Sequence, residues 1–229
     1  MKCIFRLRSL RSYAALWLML SFAIIAPRGA MAEIASKPVK LVAFGDSLTA
    51  GYQLKPESSF PAQLQVALRA KGYKVDVANA GVSGDTTANG LDRLDWTLQD
   101  GADGVILELG ANDALRGTDP KIPRANLDRM IAAFKAKHLD ILLAGMRAPN
   151  NWGAEYKTAF DALYPDLAAK YNVVLYPYFL DGVRTVPALL QSDGLHPTAK
   201  GVAEIVTRML PSVEALIKTI TERKLAAKN

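Results

Sequence analysis

Residues 39–49 read Val39-Lys40-Leu41-Val42-Ala43-Phe44-Gly45-Asp46-Ser47-Leu48-Thr49, a short apolar run that ends in a glycine and a cluster of small polar residues. Comparable runs recur at Val75 to Asn79, Gly104 to Leu109, Ile141 to Ala144 and Val173 to Tyr176. Most are continuously apolar instead of alternating, the pattern of strands covered by helices on both faces of a parallel sheet. Between them, apolar residues fall at helical spacing: Phe60, Leu64 and Leu68; Leu127, Met130, Ile131 and Phe134; Tyr156, Phe160, Leu163 and Leu167; then Val202, Ile205, Val206 and Met209, followed by Leu216, Ile217 and Ile220. Strand and helix patterns in alternation specify an α/β fold of repeated β-α units on a parallel sheet. Pro61 suits the first turn of its helix, with Ser58 or Ser59 as cap. Pro165 and Pro211 each interrupt a helical hydrogen-bond ladder and predict a kink or a break.

The chain has 229 residues, 50% of them hydrophobic and 22% charged, which fits one ordinary globular domain. Its formal charge of +6 suggests nucleic acid or membrane partners only until the charges are located. Lys2, Arg6, Arg8, Arg11 and Arg28 all lie in residues 1–32, which carry no acid, so the remainder is nearly neutral. Those first residues have the form of a signal peptide: a positive segment to Arg11, an apolar run from Tyr13 to Ala26, and Ala30-Met31-Ala32 at a cleavage site. The apolar run is shorter than the roughly 20 residues of a membrane-spanning helix. Cleavage after Ala32 is therefore expected, with one domain at 33–229 exported to the periplasm. Cys3 precedes the apolar run, so the mature chain has no thiol and no disulfide or cysteine chemistry.

In an open parallel sheet the functional crevice lies at the carboxyl ends of the strands. The loops there hold Gly45-Asp46-Ser47-Leu48-Thr49, Gly81-Val82-Ser83-Gly84-Asp85-Thr86, Gly110-Ala111-Asn112-Asp113 and Asp193-Gly194-Leu195-His196-Pro197. A serine hydroxyl is a weak nucleophile until a neighbouring base takes its proton, and the chain has only two histidines. His138 follows Lys135 and Lys137 at a predicted helix end, where a cation suits the helix dipole. His196 is the candidate base, and Asp193, three residues before it on a tight turn, can fold back to Nδ1 and leave Nε2 for the serine. A developing oxyanion needs donors: the backbone N–H of Ser47, Gly84 where the main chain can approach closely, and the side-chain amide of Asn112.

These four blocks, in this order, resemble those of the SGNH (GDSL) hydrolase family. More narrowly, the chain is similar to its bacterial periplasmic thioesterase, lysophospholipase and arylesterase branch. The likeness runs through Gly51-Tyr52, Ser83-Gly84-Asp85-Thr86-Thr87, Glu108-Leu109-Gly110, Leu115-Arg116-Gly117 and Tyr176-Pro177-Tyr178-Phe179, and covers nearly all of the mature chain. The resemblance implies a three-layer α/β/α sandwich around a five-stranded parallel sheet, the flavodoxin-like SGNH hydrolase fold. It also implies catalytic Ser47, Asp193 and His196 and an oxyanion hole of Ser47, Gly84 and Asn112. None of these positions departs from the family pattern.

Other chemistries lack their signatures. No histidine pair stands at ligand spacing, and with no mature cysteine this argues against zinc. Neither a phosphate loop, a dinucleotide fingerprint nor the Gly-x-Ser-x-Gly elbow follows any strand. The expected reaction needs no cofactor and no metal. Its partner is a small acyl ester or thioester, with no nucleic acid and no stable membrane span, and the mature chain is expected to act as a monomer. Loops 146–153 and 178–183 would wall the crevice, where Met146, Trp152, Phe179 and Leu180 offer an acyl-chain slot; the competing reading of these four is plain core packing. A carbohydrate O-acetyl esterase, which favours a more open and polar mouth, and a non-catalytic exported binding module are the alternative functions.

Overall fold

The computed structural model describes residues 37–227. The expected leader, residues 1–32, lies outside the described residues. Five strands form one parallel sheet: β1 (Val39–Gly45), β2 (Val75–Gly81), β3 (Gly104–Glu108), β4 (Asp140–Ala144) and β5 (Val174–Tyr176), in the order β2-β1-β3-β4-β5. The central β3 and β4 are buried along their whole length, whereas β2, at one edge, has exposed residues. That contrast follows from helices covering both faces of the middle strands.

One face is covered by α2 (Phe60–Ala70) and the C-terminal α9 (Ala199–Ala226), which also pack on each other. The other carries α3 (Thr87–Asp92), α6 (Lys121–Ala136) and α8 (Leu163–Tyr171), which makes the fold a three-layer α/β/α sandwich. Short α1 (Ser47–Ala50), α4 (Leu94–Thr97), α5 (Ala111–Leu115) and α7 (Ala154–Asp161) complete the elements. The helices bury the residues that their spacing predicts: Phe60, Leu64 and Leu68 in α2, and Leu127, Met130, Ile131 and Phe134 in α6. At about 25 cal/mol per Å2 of apolar surface, each such large side chain contributes roughly 1.5–3 kcal/mol.

The prolines and caps partly depart from expectation. The helical pattern from Tyr156 to Leu167 is interrupted at Ala162, and Pro165 falls in the first turn of α8, where its missing N–H costs little. Pro211, by contrast, sits inside the uninterrupted 28-residue α9 and does not break it. Pro211 and Thr207, whose carbonyl loses its partner, both lie on the exposed face, where water can satisfy the orphan. Ser59 occupies the cap position of α2 but gives that helix no side-chain bond; its hydroxyl donates to the Pro56 carbonyl at 2.7 Å. Among the described residues, no helix is long and apolar enough to cross a membrane.

Strand register sets up the site. Gly45, the last residue of β1, is level with Gly81 of β2 on one side and Glu108 of β3 on the other. The chain leaves β1 toward β2 at one edge and β3 lies on the opposite side, so the sheet reverses its order beside β1. The three loops that hold the motifs therefore emerge side by side at that switch point.

Candidate active site

Ser47 is the first residue of α1, immediately beyond β1. Asp46 caps the helix, its Oδ1 accepting from the Leu48 N–H at 3.0 Å. Gly45 is a steric requirement, because a Cβ there would overlap the Thr49 hydroxyl and the Glu108 side chain.

His196 comes from a turn far along the sequence. Asp193 Oδ1 accepts from the N–H groups of Leu195 (2.9 Å) and His196 (3.0 Å), while Oδ2 lies 2.6 Å from His196 Nδ1. His196 Nε2 lies 2.8 Å from Ser47 Oγ. An ionised carboxylate only accepts, so it assigns the proton to Nδ1 and leaves the Nε2 lone pair for the serine hydroxyl. The bonds from His196 and Leu195 hold the Asp193 carboxyl down at about 2.

The turn is anchored from outside as well. Gln191 Nε2 donates to the carbonyls of Tyr52 (2.8 Å) and Pro197 (2.9 Å), and the Gln191 N–H donates to the His196 carbonyl at 2.7 Å. The Tyr52 ring stands 4.5 Å from the imidazole. Sequence reading named Tyr52 only within the family likeness, without a role, and did not name Gln191, because no local pattern marks a contact made 139 residues away, from Gln191 to Tyr52.

Asn112, in α5, also borders Ser47. Its Nδ2 donates to Asp46 Oδ2 at 3.1 Å and to the Asp85 carbonyl at 2.9 Å, so both amide hydrogens are engaged. The Ser47 and Gly84 N–H groups donate to no acceptor among the described residues. Gly84 adopts φ +88°, a backbone conformation that strains other residues. Its loop is held by a clamp absent from the sequence reading: Arg93 Nε contacts Asp85 Oδ2 at 2.6 Å and Arg93 Nη2 donates to the Gly45 carbonyl at 2.9 Å.

Below this layer lie two carboxyls with no exposed surface. Glu108 Oε2 accepts from the Thr49 hydroxyl at 2.7 Å and the Asp46 N–H at 3.3 Å; its Oε1 has no partner. Burial, then the nearby Asp46 charge, pushes the Glu108 carboxyl well above the usual range, which favours its neutral form. Burial likewise raises Asp46 to about 6, against the opposing pull of the Leu48 N–H. The sequence does carry a trace of this pair, since Glu108 is an acid closing an otherwise apolar strand run.

A cleft of about 620 Å3 opens over Ser47, Asn112 and His196, with Leu48, Leu115, Met146 and Leu180 as apolar walls. Of the four side chains expected in an acyl slot, Met146 and Leu180 line it and two do not. Phe179 is fully buried with its ring edge-on to Phe60, since Tyr178 and Leu180 on either side of it face the cleft. Trp152 lies against Gly117 and donates from Nε1 to the Ala114 carbonyl at 2.8 Å, bracing the loop after α5 from outside. Among the described residues, no group of three His, Cys, Asp or Glu side chains is placed to hold a metal ion.

The chain has extensive similarity to characterised proteins. It is 44% identical over 175 residues to an arylesterase of Vibrio mimicus, covering 75% of this chain and 88% of the relative. It is 37% identical over 178 residues to thioesterase 1/protease 1/lysophospholipase L1 of Escherichia coli (strain K12), covering 77% and 84%. A crystal structure of TesA superposes with a TM-score of 0.74 at 36% identity, covering 77% of this chain and 99% of that one. Residues 43–203 match a family described as GDSL-like lipase/acylhydrolase, a span that takes in the end of β1, the α5 loop and the histidine turn together. With that match over more than half its length, the chain belongs to the GDSL-like lipase/acylhydrolase family.

Proposed function

We propose that the protein is an exported esterase and thioesterase acting on small acyl or aryl substrates through an acyl-enzyme on Ser47. The observation that carries this is the continuous relay from Ser47 Oγ to His196 Nε2 (2.8 Å) and from His196 Nδ1 to Asp193 Oδ2 (2.6 Å). Ser47 attacks the acyl carbonyl as its proton passes to His196, and Asp193 stabilises the imidazolium. The alcohol or thiol then leaves with that proton. Water, activated by the same histidine, releases the acid from Ser47. The oxyanion is met by the N–H groups of Ser47 and Gly84 and by Asn112 Nδ2, which shares with it the hydrogen otherwise given to Asp46.

The apolar walls at Leu48, Leu115, Met146 and Leu180 favour aliphatic or aryl acyl groups over acetylated sugars. The names of the relatives, an arylesterase and a thioesterase and lysophospholipase, agree with that range. The relay is complete within one chain, so the proposed chemistry needs no residue from a second copy, in keeping with action as a monomer. Residues 1–32 support export to the periplasm and release of a domain at 33–229. Incubation with an organophosphonate ester should add one phosphonyl group at Ser47, with loss of esterase activity in step. Modification elsewhere, or inactivation without it, would overturn the assignment.

A further inference from the structure

The turn that carries Gly84 has little of its own to fix it. Residues 82–85 are closed by the Asp85 N–H donating to the Val82 carbonyl at 3.1 Å, with Gly84 at φ +88°. Val82, Ser83 and Gly84 are exposed, and a Cβ at Gly84 would meet nothing within 4 Å, so no packing seats the tip. Its position is set by bonds. The Val82 N–H donates to the Gly45 carbonyl at 3.0 Å, and exposed Arg116 reaches the Gly84 carbonyl from Nη2 at 3.2 Å. Arg93 closes the other end: its guanidinium contacts Asp85 Oδ2 from Nε at 2.6 Å and donates from Nη2 to the same Gly45 carbonyl at 2.9 Å. Gly45 stands two residues before Ser47, and the Asp85 carbonyl accepts from Asn112 Nδ2 at 2.9 Å. This ring of bonds therefore joins the segments that carry all three oxyanion donors.

Arg93 is itself held in place. It ends α3, its guanidinium lies over the Phe44 ring at 4.1 Å, and its Nη1 donates to Thr97 Oγ1 at 3.3 Å. At the start of α3, the Thr87 N–H and hydroxyl donate to the two carboxyl oxygens of Asp113, at 2.8 and 2.7 Å, beside Asn112. The helix is thus a strut between the Asn112 loop and the Gly84 turn. An ion pair with side chains only 16% and 12% exposed is a weak source of stability, because desolvation offsets much of the attraction. The planar guanidinium instead fixes two acceptors in direction as well as distance. We infer that Arg93 is a positioning residue for the reaction, which sets the Ser47 N–H, the Gly84 N–H and the Asn112 amide at the spacing that a single oxyanion requires. This rests on the esterase reading above and adds to it a residue that does not line the cleft.

The test uses p-nitrophenyl butanoate well below the melting temperature. Arg93→Ala should lower kcat by roughly a hundredfold, the cost of a misplacement on the order of 1 Å, and leave KM within about threefold. Butane-1-boronic acid, whose boron takes up the Ser47 oxygen and presents a hydroxyl in the oxyanion position, should bind more weakly by about the factor that kcat/KM loses. Methylguanidinium, which restores the planar fork, should raise the kcat of the variant by about fivefold or more, and methylammonium should not. Thr97→Val removes a bond of Arg93 outside the ring and should leave kcat unchanged. Should Arg93→Ala not fold, Asp85→Asn weakens the same ring and should show the same split of kcat from KM. A near-normal kcat, a loss that Thr97→Val reproduces, boronic acid binding that holds while kcat falls, or rescue by methylguanidinium no better than by methylammonium would overturn the proposal. If the wild-type protein neither hydrolyses the ester nor takes up a phosphonate at Ser47, the esterase reading fails; if it does both and the ring variants keep their kcat, the Arg93 assignment alone fails.

Discussion

Ser47 and His196 meet at hydrogen-bonding distance from two unlike settings. The serine stands on the end of a fully buried strand end, above Asp46, Thr49 and Glu108, none of them more than 1% exposed. The histidine stands on a turn whose Asp193 and Leu195 are exposed and whose shape comes mostly from bonds within seven residues. Ser47, the proposed nucleophile, is positioned by the whole fold, and His196, the proposed base, by local turn chemistry. Substitution of the His196 side chain should therefore change rate with little effect on stability, and substitutions on the serine side should change both.

The largest effect tests the base side. His196→Ala should lower kcat by roughly 10^4–10^6-fold, while melting temperature stays within about 2 °C. A large drop in melting temperature would show that the turn supports the fold and that the contrast is wrong.

Asn112→Ala tests the serine side. Loss of one oxyanion donor should lower kcat by roughly a hundred- to a thousandfold. Because Asn112 also bonds Asp46 Oδ2 and the Asp85 carbonyl, stability should fall by about 1–3 kcal/mol as well. Retained stability with collapsed kcat would mean that those two bonds hold nothing in place.

The smallest effect separates the two settings by pH. Asp193, lowered to about 2, contributes stability that is present above its ordinary 3.8 and lost as pH falls toward 2. Asp46, raised to about 6, has the opposite sign: it binds its proton more tightly folded than unfolded, so stability falls as pH rises from about 4 through 6. The Asp46 contribution amounts to roughly 1–3 kcal/mol. In pH-dependent unfolding measurements, Asp46→Asn should flatten the decline above pH 4 and Asp193→Asn the decline below it. If either substitution alters the other's window, the carboxyls are not acting separately.

The same division governs what could be read from the residues alone. All five strands lie within about two residues of the runs that mark them, and for β1, β3 and β4 the reason is burial on both faces, which leaves a strong local pattern. The Asp193–His196 turn was legible for a similar reason, because its spacing contains its geometry. Side-chain facing beyond β5 was not: Phe179 and Leu180 are both large and apolar, and only the direction of the backbone sends one to the core and the other to the cleft. The Arg93 clamp and the Asp46–Glu108 pair join separate loops and strands, which periodicity cannot report. Pro211 was misleading because its local cost is real, yet packing along α9 outweighs it and keeps the helix whole.

That continuous helix has a practical consequence. It begins at Ala199, three residues after His196, and runs 28 residues to Ala226, where Arg223 and Lys224 tie it to Asp140 and Asp103 at the opposite rim of the sheet. At 1.5 Å per residue its two ends are roughly 40 Å apart. A dye, a polymer or a solid support attached beyond Ala226 would therefore leave the mouth of the cleft open, and the enzyme could be immobilised by that end with its active face turned to solution.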